Sequence, residues 1–246
     1  SISGSIYVPG DLRIADGVTV DLVGSSSNLQ FNGTAAQVLG LAPEAVSGSL
    51  KLNGGDLWAD WQDNGSPLTI DTGVNIQGWG YLYGSSFAQI VNNGVIDANT
   101  TAGNLRISGD SYTDLSGATV PGFVNQGILR ASSGGTLQLG YSATPSDVWA
   151  SGPGAAIELN GGTVSLRGSF SPADLQGIDG QSIITGSGSI NLNGLMDLGG
   201  QTIDVGTNGL FGPGGLSSLD YDGILRNGTL TTNSPTYILQ SNDGTL

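Results

Sequence analysis

Apolar and polar residues alternate with a period of two along most of this chain, and short glycine-containing pairs interrupt the alternation. In the first segment, Ser1–Val23, the interruptions are Pro9-Gly10 and Asp16-Gly17. This pattern is typical of short strands separated by tight turns, because successive side chains of a strand point to opposite faces. We therefore predict strands here and again from Gly48 to the end of the chain.

One stretch, Ile90 to Gly140, contains the same phrase twice. Ile90-Val91-Asn92-Asn93-Gly94-Val95-Ile96-Asp97-Ala98 returns as Phe123-Val124-Asn125-Gln126-Gly127-Ile128-Leu129-Arg130-Ala131. A second apolar alternation follows each copy, at Leu105–Ile107 and at Leu137–Leu139. The offset of about 33 residues lies inside the roughly 20–50 residues typical of solenoids and other repeat arrays.

A second repeated phrase has the form apolar-x-Leu-Asn-Gly. It begins at Leu50, at Ile157 and, more loosely, at Ile190. Because Asn and Gly tolerate positive φ, we expect the Asn-Gly pairs at corners of the chain. We also expect stacked amide columns, with Asn92 over Asn125 and Asn160 over Asn193.

Two segments depart from the alternation. Thr34–Val46 has a helical composition with Thr34 at the N-cap, and it is either a short helix that Pro43 ends or an irregular loop. Ser171-Pro172-Ala173-Asp174 has Ser at the N-cap and Pro at the first position, which predicts a single helical turn.

The repeats predict an all-β, single-domain parallel β-solenoid over residues 1–246, with short lateral loops and at most one short helix. Each repeat is too small to bury its own apolar side, so equivalent residues must stack in ladders about 4.8 Å apart. About 22 to 33 residues per coil give roughly eight to eleven coils. The competing fold is an antiparallel sandwich or barrel, which explains the 33-residue echo less well.

Composition limits the function classes. Six basic and 20 acidic residues give a net charge of −14, which argues against nucleic acid and against an anionic membrane as partners. The chain has no Cys and no apolar run of about 18 residues, so we expect no disulfide framework and no membrane insertion. A polar surface rich in Ser, Thr, Asn, Gln and Gly indicates an extracellular setting.

The phrases FVNQGILRASSGGTLQL, IVNNGVIDANTTAGNLRI and IELNGGTVSL resemble the repeat regions of bacterial secreted proteins, namely filamentous-haemagglutinin-like proteins and autotransporter adhesin passengers. The likeness is good over about residues 48 to 200. It implies a right-handed parallel β-helix displayed outside a bacterial cell. It carries over no binding residue.

The two ends of the sequence, Ser1–Ile6 and Asn242–Leu246, would continue the repeat if they were joined. We therefore expect the chain to be one module of a longer array. Its expected partners are adjacent repeats or identical chains placed end to end, because open solenoid ends template further strand pairing.

Candidate chemistry is sparse. The chain has no His, so no His-based catalytic triad exists and we predict no catalytic residue. Aromatic residues crowd one quarter of the chain, beside the acids Asp56, Asp60, Asp63 and Asp71. Trp and Tyr faces near carboxylates suit sugar rings, so the carbohydrate-binding candidates are Trp58, Asp60, Trp61, Asp63 and Trp79. The alternative is that these aromatics only pack a lateral loop against the rod.

Two further patterns suggest ligands only superficially. Gly78–Gly84 is rich in glycine, but no helix follows it, so we predict a structural turn and no phosphate loop. Acidic pairs such as Asp220 and Asp222 leave Ca²⁺ conceivable as a bound ion, although the calcium-binding nonapeptide and EF-hand spacings are absent. No other cofactor is expected.

The function predicted from the sequence is a non-enzymatic extracellular module, structural or adhesive, that builds a surface fibre or matrix by stacking of solenoids. The alternative is a β-helix protein that binds or cleaves a surface polysaccharide. A groove in which two or more carboxylates face Trp58 or Trp61 would favour the alternative.

Overall fold

The computed structural model describes residues 1–59, 66–85, 88–114, 116–141 and 146–246. Their backbone winds into a parallel β-solenoid of about eight turns, as the alternation predicted. The strands are β1 Ser5–Val8, β2 Leu12–Ile14, β3 Thr19–Val23, β4 Asn28–Phe31, β5 Gln37–Leu41, β6 Gly48–Ala59, β7 Leu68–Ile70, β8 Val74–Gly84, β9 Ile90–Asn92, β10 Val95–Ala98, β11 Asn104–Gly109, β12 Tyr112–Thr113, β13 Thr119–Val120, β14 Phe123–Asn125, β15 Ile128–Ser132, β16 Thr136–Leu139, β17 Trp149–Ser151, β18 Ala156–Leu166, β19 Ser169–Phe170, β20 Ile184–Leu192, β21 Leu195–Asp197, β22 Thr202–Asp204, β23 Ser218–Leu219, β24 Ile224–Arg226, β25 Thr229–Thr231 and β26 Gln240–Ser241.

Stacked coils place like strands on like strands. The largest sheet follows the order β1-β4-β6-β8-β10-β15-β18-β20-β23-β26, and a second sheet follows the order β17-β14-β9-β7-β5-β2. Every strand pair in these two sheets is parallel, whereas β12 and β13 form an antiparallel hairpin outside the stack. The rod is therefore built by winding, and neighbouring coils bury each other's apolar side.

The core is a set of aliphatic columns. One column takes a single residue from each of eight successive coils, and each of these side chains is at most 1% exposed: Leu29, Leu57, Leu82, Ile107, Leu139, Leu166, Leu192 and Leu219. Each side chain lies about 4.8 Å from the next, so the column excludes water along its length.

The duplicated phrase pairs with itself. Ile90, Val91 and Asn92 of β9 lie in register with Phe123, Val124 and Asn125 of β14. Asn92 and Asn125 are completely buried and hydrogen-bonded to each other, 33 residues apart, so the predicted amide column is confirmed.

The other predicted amide column is wrong. Asn160 lies over Ser187 and is exposed, whereas the side chain of Asn193 meets Ser165 and Asp220. Asn193 and Asp220 are 27 residues apart, so this coil is shorter than the 33-residue coil. The longer coil contains the hairpin β12–β13, which adds residues without changing the stack.

The Asn-Gly pairs at Asn53 and Asn160 lie at bulges within the continuous strands β6 and β18. In both strands the ladder register shifts after the Asn, and the following glycine has positive φ, +84° at Gly54 and +80° at Gly161. The extra residues turn the strand onto the next face of the rod while pairing continues on either side.

Thr34–Val46 contains no helix. Its centre is strand β5, which pairs with β2 and β7. The amide of Gln37 fixes the approach to this strand, because it donates 2.8 Å hydrogen bonds to the carbonyl oxygens of Val8 and Gly10 and accepts one from Gly33. Both alternatives, the short helix and the irregular loop, were wrong at the centre of this segment, because parallel pairing on both sides outweighs local helix propensity.

The predicted helical turn is present as a single 3₁₀ turn over Pro172–Leu175. The carboxylate of Asp174 accepts 2.8 Å hydrogen bonds from the backbone and the hydroxyl of Ser171. Among the described residues, no helix is long and apolar enough to span a membrane.

Candidate functional site

The outer face of β8 carries three aromatic side chains in a row. Trp79, Tyr81 and Tyr83 alternate with buried inward residues, so they share the outward face of the strand. At a rise of about 3.3 Å per residue, the row is roughly 13 Å long. The segment Gly78–Gly84 is therefore a strand, and the prediction of a turn there was wrong.

Two glycines of this segment are required by the backbone. A side chain at Gly78 would overlap the carbonyl oxygen of Leu52, and one at Gly80 would overlap that of Gly55. Both have positive φ, +109° and +140°, which L-residues rarely adopt. The glycines let β8 lie directly on the bulge of β6 and so fix where the three aromatic rings project.

The neighbouring coil extends the aromatic surface. Trp58 of β6 lies in register with Tyr83, and their rings make an edge contact with centroids 4.8 Å apart. Asp56 lies in register with Tyr81 on the same two strands. Parallel stacking therefore brings three aromatic rings and a carboxylate together from positions about 25 residues apart in sequence.

These residues line a lateral hollow of about 460 Å³ on the side of the rod. This volume is within the roughly 300–1,000 Å³ typical of small-molecule sites. Four aromatic rings and three carboxylates surround the space, and the described residues lining it are Asp56, Trp58, Tyr81, Tyr83, Ser108, Asp110, Tyr141 and Asp147.

Hydrogen bonds hold two of the three carboxylates in place. Asp110 accepts a 3.5 Å hydrogen bond from the hydroxyl of Tyr83, and Asp147 accepts one from the backbone N–H of Tyr141. Asp147 is only 5% exposed. The first bond ties two successive coils together, and the second joins two residues of the next coil.

Asp56 has a perturbed acidity. Burial raises the pKa of Asp56 above its ordinary value, because the charged form loses water. A hydrogen bond from the backbone of Tyr81 opposes the rise. A raised pKa in a concave site is a common property of functional carboxylates, although structural burial produces it too.

A second, shallower hollow of about 320 Å³ adjoins the first and shares Asp56 and Tyr81 with it. Trp79 lies in this second hollow between glycines of the coils on either side. A Cβ atom added at Gly54 would lie 2.7 Å from the indole ring, and one added at Gly103 would lie 2.6 Å from it. The glycines therefore form a flat slot that holds the indole.

Arg106 stands at the boundary between the two hollows. Its guanidinium lies 4.7 Å from the ring centroid of Tyr81 and 5.1 Å from that of Tyr141. It also donates hydrogen bonds to the hydroxyl of Tyr81 and, at 2.8 Å, to the amide oxygen of Gln138. These contacts fix two of the four rings of the lateral hollow.

The structure brings part of the predicted carbohydrate-binding set together. Trp58 lines the lateral hollow and Trp79 lines the adjoining one. Asp60, Trp61 and Asp63 lie outside the described residues. Asp71, also considered as a candidate acid, does not line either hollow. It follows β7 and lies 3.8 Å from Arg13.

Sequence reasoning missed Asp110, Tyr141 and Asp147. They come from later coils, and only the register of the stack brings them beside Trp58. Coil length was the signal that could have located Asp110. Trp58, Tyr83 and Ser108 occupy one column and are equally spaced along the sequence. Asp110 lies two residues after Ser108, on the same face.

For metal binding, the described residues contain no group of three or more acidic, His or Cys side chains placed to hold an ion. At the pair considered for Ca²⁺, Asp220 accepts hydrogen bonds from the side-chain amides of Asn193 and Asn242.

Fold and site together define a parallel β-solenoid with an aromatic, acidic hollow on its side. Comparisons with protein-family models, curated proteins and solved structures gave no match. The proposals below therefore rest on this chain's own residues.

Proposed function

We propose that this protein is an extracellular, non-enzymatic adhesive β-solenoid that holds a surface polysaccharide in its lateral hollow. The observation that carries the proposal is the arrangement of Trp58, Tyr81, Tyr83 and Tyr141 around one concave space with three carboxylates. Aromatic faces pack against the apolar faces of sugar rings, and carboxylates accept hydrogen bonds from sugar hydroxyls.

The rigid rod supports this function. The hollow is formed mainly by side chains on β6, β8 and β11, whose backbones are paired on both sides. Sites carried on paired strands hold their geometry better than sites on free loops, so little ordering is needed when a ligand binds.

Binding without cleavage is favoured by the state of the acids. Asp56, Asp110 and Asp147 each accept hydrogen bonds from neighbouring protein groups. These hydrogen bonds fix the carboxylates as parts of a binding wall. Secretion by a bacterium is part of the same proposal and rests on the sequence resemblance.

Titration with short oligosaccharides, followed by tryptophan fluorescence and calorimetry, tests the proposal. We expect a neutral or amino-sugar oligosaccharide to bind at micromolar to millimolar concentration and to perturb the fluorescence of Trp58. Trp58→Ala should weaken binding at least tenfold. Tyr7→Ala is the matched control, because Tyr7 is an exposed aromatic residue in the same outward column two coils away.

Two results would overturn the proposal. The absence of binding across a broad oligosaccharide panel would remove the hollow as a glycan site. Release of shorter oligosaccharides, abolished in Asp56→Asn or Asp110→Asn, would instead establish a polysaccharide-cleaving enzyme.

A second candidate function is end-to-end stacking into a fibre. The first coil favours it, because Ile6 is 37% exposed although it lies in register with the core residue Leu29. Another solenoid coil from an identical chain would cover Ile6. Light scattering and electron microscopy should then show filaments that Ile6→Lys shortens, and a strictly monomeric particle would exclude this function.

A further inference from the structure

We propose that the lateral hollow selects sugars that carry a protonated amine, namely 2-amino-2-deoxyhexose units of a de-N-acetylated polysaccharide. This inference rests on the proposed function, because it names the ligand class of the same site. It is carried by the charge of the hollow and by the absence of an ion pair to Asp56 or Asp110 among the described residues.

Three of the six basic residues of the chain form ion pairs away from the hollow. All six lie among the described residues. The ion pairs of this part of the chain join Arg13, Arg130 and Arg226 to acids outside the hollow: Asp11, Asp71, Asp97, Glu158 and Asp197.

The remaining three basic residues form no ion pair with Asp56 or Asp110 in the part of the chain that the structure describes. Arg106 contacts Tyr81, Tyr141 and Gln138, and Arg167 donates to the carbonyl oxygen of Tyr141. Lys51 lies in register with Asp21. The hollow therefore combines the carboxylates of Asp56 and Asp110 with that of Asp147 and has no ion pair to Asp56 or Asp110 among the described residues. A ligand cation would supply the missing charge.

Two aromatic rings of the hollow already hold a cation of the protein. Arg106 lies over the rings of Tyr81 and Tyr141 at the boundary of the hollow, within the roughly 6 Å at which a cation is attracted to a ring face. The carboxylates of Asp56 and Asp110 are the groups that would meet a ligand cation. A protonated amine held beside either of them would form a charge-assisted hydrogen bond.

Other sugar classes fit less well. A uronate carboxylate would approach like charges in a chain of net charge −14, which is repulsive at short range. A neutral N-acetylated sugar would cover the half-buried carboxylate of Asp56 and could donate hydroxyl hydrogen bonds to it but no positive charge, so the desolvation cost would be compensated only in part. The ammonium form alone offsets the charge that the hollow concentrates.

Calorimetry with three probes tests the inference: a glucosamine tetrasaccharide, its fully N-acetylated counterpart and choline, at a mildly acidic pH at which the amines are protonated. We expect the glucosamine oligomer to bind at least tenfold more tightly than the acetylated one and to weaken as salt is added. Asp110→Asn should reduce this preference by about tenfold. Asp222→Asn is the control, because it removes the same charge from an exposed position outside the hollow. Thermal melts establish that each variant is folded.

The outcomes separate this inference from the proposed function. Equal or tighter binding of the acetylated oligomer would overturn the amine preference and leave the glycan site intact. Choline binding as tightly as the amino sugar would overturn the sugar part. No binding of any oligosaccharide would overturn both proposals. An equal effect of Asp222→Asn and Asp110→Asn would assign the preference to the net charge of the chain and so overturn the role of the hollow.

Discussion

The side-chain amide of Asn92 donates a 2.9 Å hydrogen bond to Oδ1 of Asn125, although 33 residues separate them in sequence. Each side chain also closes its own turn, since Asn92 accepts from the backbone N–H of Gly94 and Asn125 from that of Gly127. Both side chains are completely buried. The pair thus fixes two successive turns and their register with one set of hydrogen bonds.

Asn92→Ala should lower the free energy of unfolding by about 2–3 kcal/mol, because the N–H of Gly94 loses its acceptor in a dry environment. Urea denaturation measures the loss. Asn160→Ala is the control, since Asn160 also precedes a glycine but is exposed, and it should change stability by no more than about 0.5 kcal/mol. Similar losses in both variants would contradict a role for the buried column.

The success and the failure of the amide predictions have one physical cause. The phrases beginning at Ile90 and Phe123 are stacked directly, so their similarity corresponds to the register in which strands β9 and β14 pair. The phrases beginning at Ile157 and Ile190 are also similar, but Ile157 pairs with Ile184 and Ile190 pairs with Val164. Loops can lengthen or shorten a coil with little effect on the ladders, so an offset found in one coil does not transfer to the next.

The candidate site could be predicted only in part, for the same reason. The crowding of Trp58, Trp79, Tyr81 and Tyr83 is visible in the sequence because one coil and the next supply them. The coil that precedes Tyr141 and Asp147 includes the hairpin β12–β13, whose length no local pattern reveals. A site assembled across coils can be located from sequence only when the length of every intervening coil is known.

Arg130→Gln should destabilise the rod by about 1 kcal/mol at neutral pH. Arg130 lies between Asp97 and Glu158 in one outward column, with a 2.7 Å ion pair to Glu158 and a 3.9 Å contact to Asp97. Its removal leaves two acids in the same column without the cation between them. Thermal denaturation at low and high salt measures the effect, which should shrink at high salt.

Arg226→Gln is the matched control for Arg130, because Arg226 pairs with Asp197 at a more exposed place, where its side chain is 53% accessible. Arg226→Gln should lower the free energy of unfolding by no more than about 0.5 kcal/mol. If the two variants were equally destabilised, the position of Arg130 between two acids would contribute nothing.

Gly54→Ala should destabilise the protein more than Gly161→Ala. Both glycines occupy the same place in the repeated phrase and have positive φ, so each substitution costs about 1–2 kcal/mol in backbone strain. The added methyl group has open space at Gly161 but lies 2.7 Å from the indole of Trp79 at Gly54. Gly103 on the other side prevents the indole from moving away. Chemical denaturation gives the difference, and equal losses would show that the slot around Trp79 is loose.

Asp56→Asn should stabilise the fold at neutral pH, by at most about 1 kcal/mol because the carboxylate is partly solvated. Burial raises the pKa of Asp56 in the folded state. At neutral pH the folded protein therefore bears a desolvation penalty that the unfolded chain does not. As pH falls through the raised pKa, the folded state takes up a proton first and the wild type gains stability, until the unfolded chain is protonated as well. The advantage of the Asn variant should therefore vanish in acid.

Asp16→Asn should destabilise the fold at neutral pH, which is the opposite of the effect expected for Asp56→Asn. Hydrogen bonds from the backbone N–H groups of Val46 and Ser47 lower the pKa of Asp16 below its ordinary value. The wild-type carboxylate therefore contributes stability above the unfolded-state pKa and loses it as pH falls through the lower, folded-state pKa. Melting temperatures across the acidic range should show the Asp16 variant less stable than wild type at neutral pH and converging with it in acid. A common sign for the two variants would mean that general charge repulsion in this acidic chain, and not the surroundings of each carboxylate, sets its response to pH.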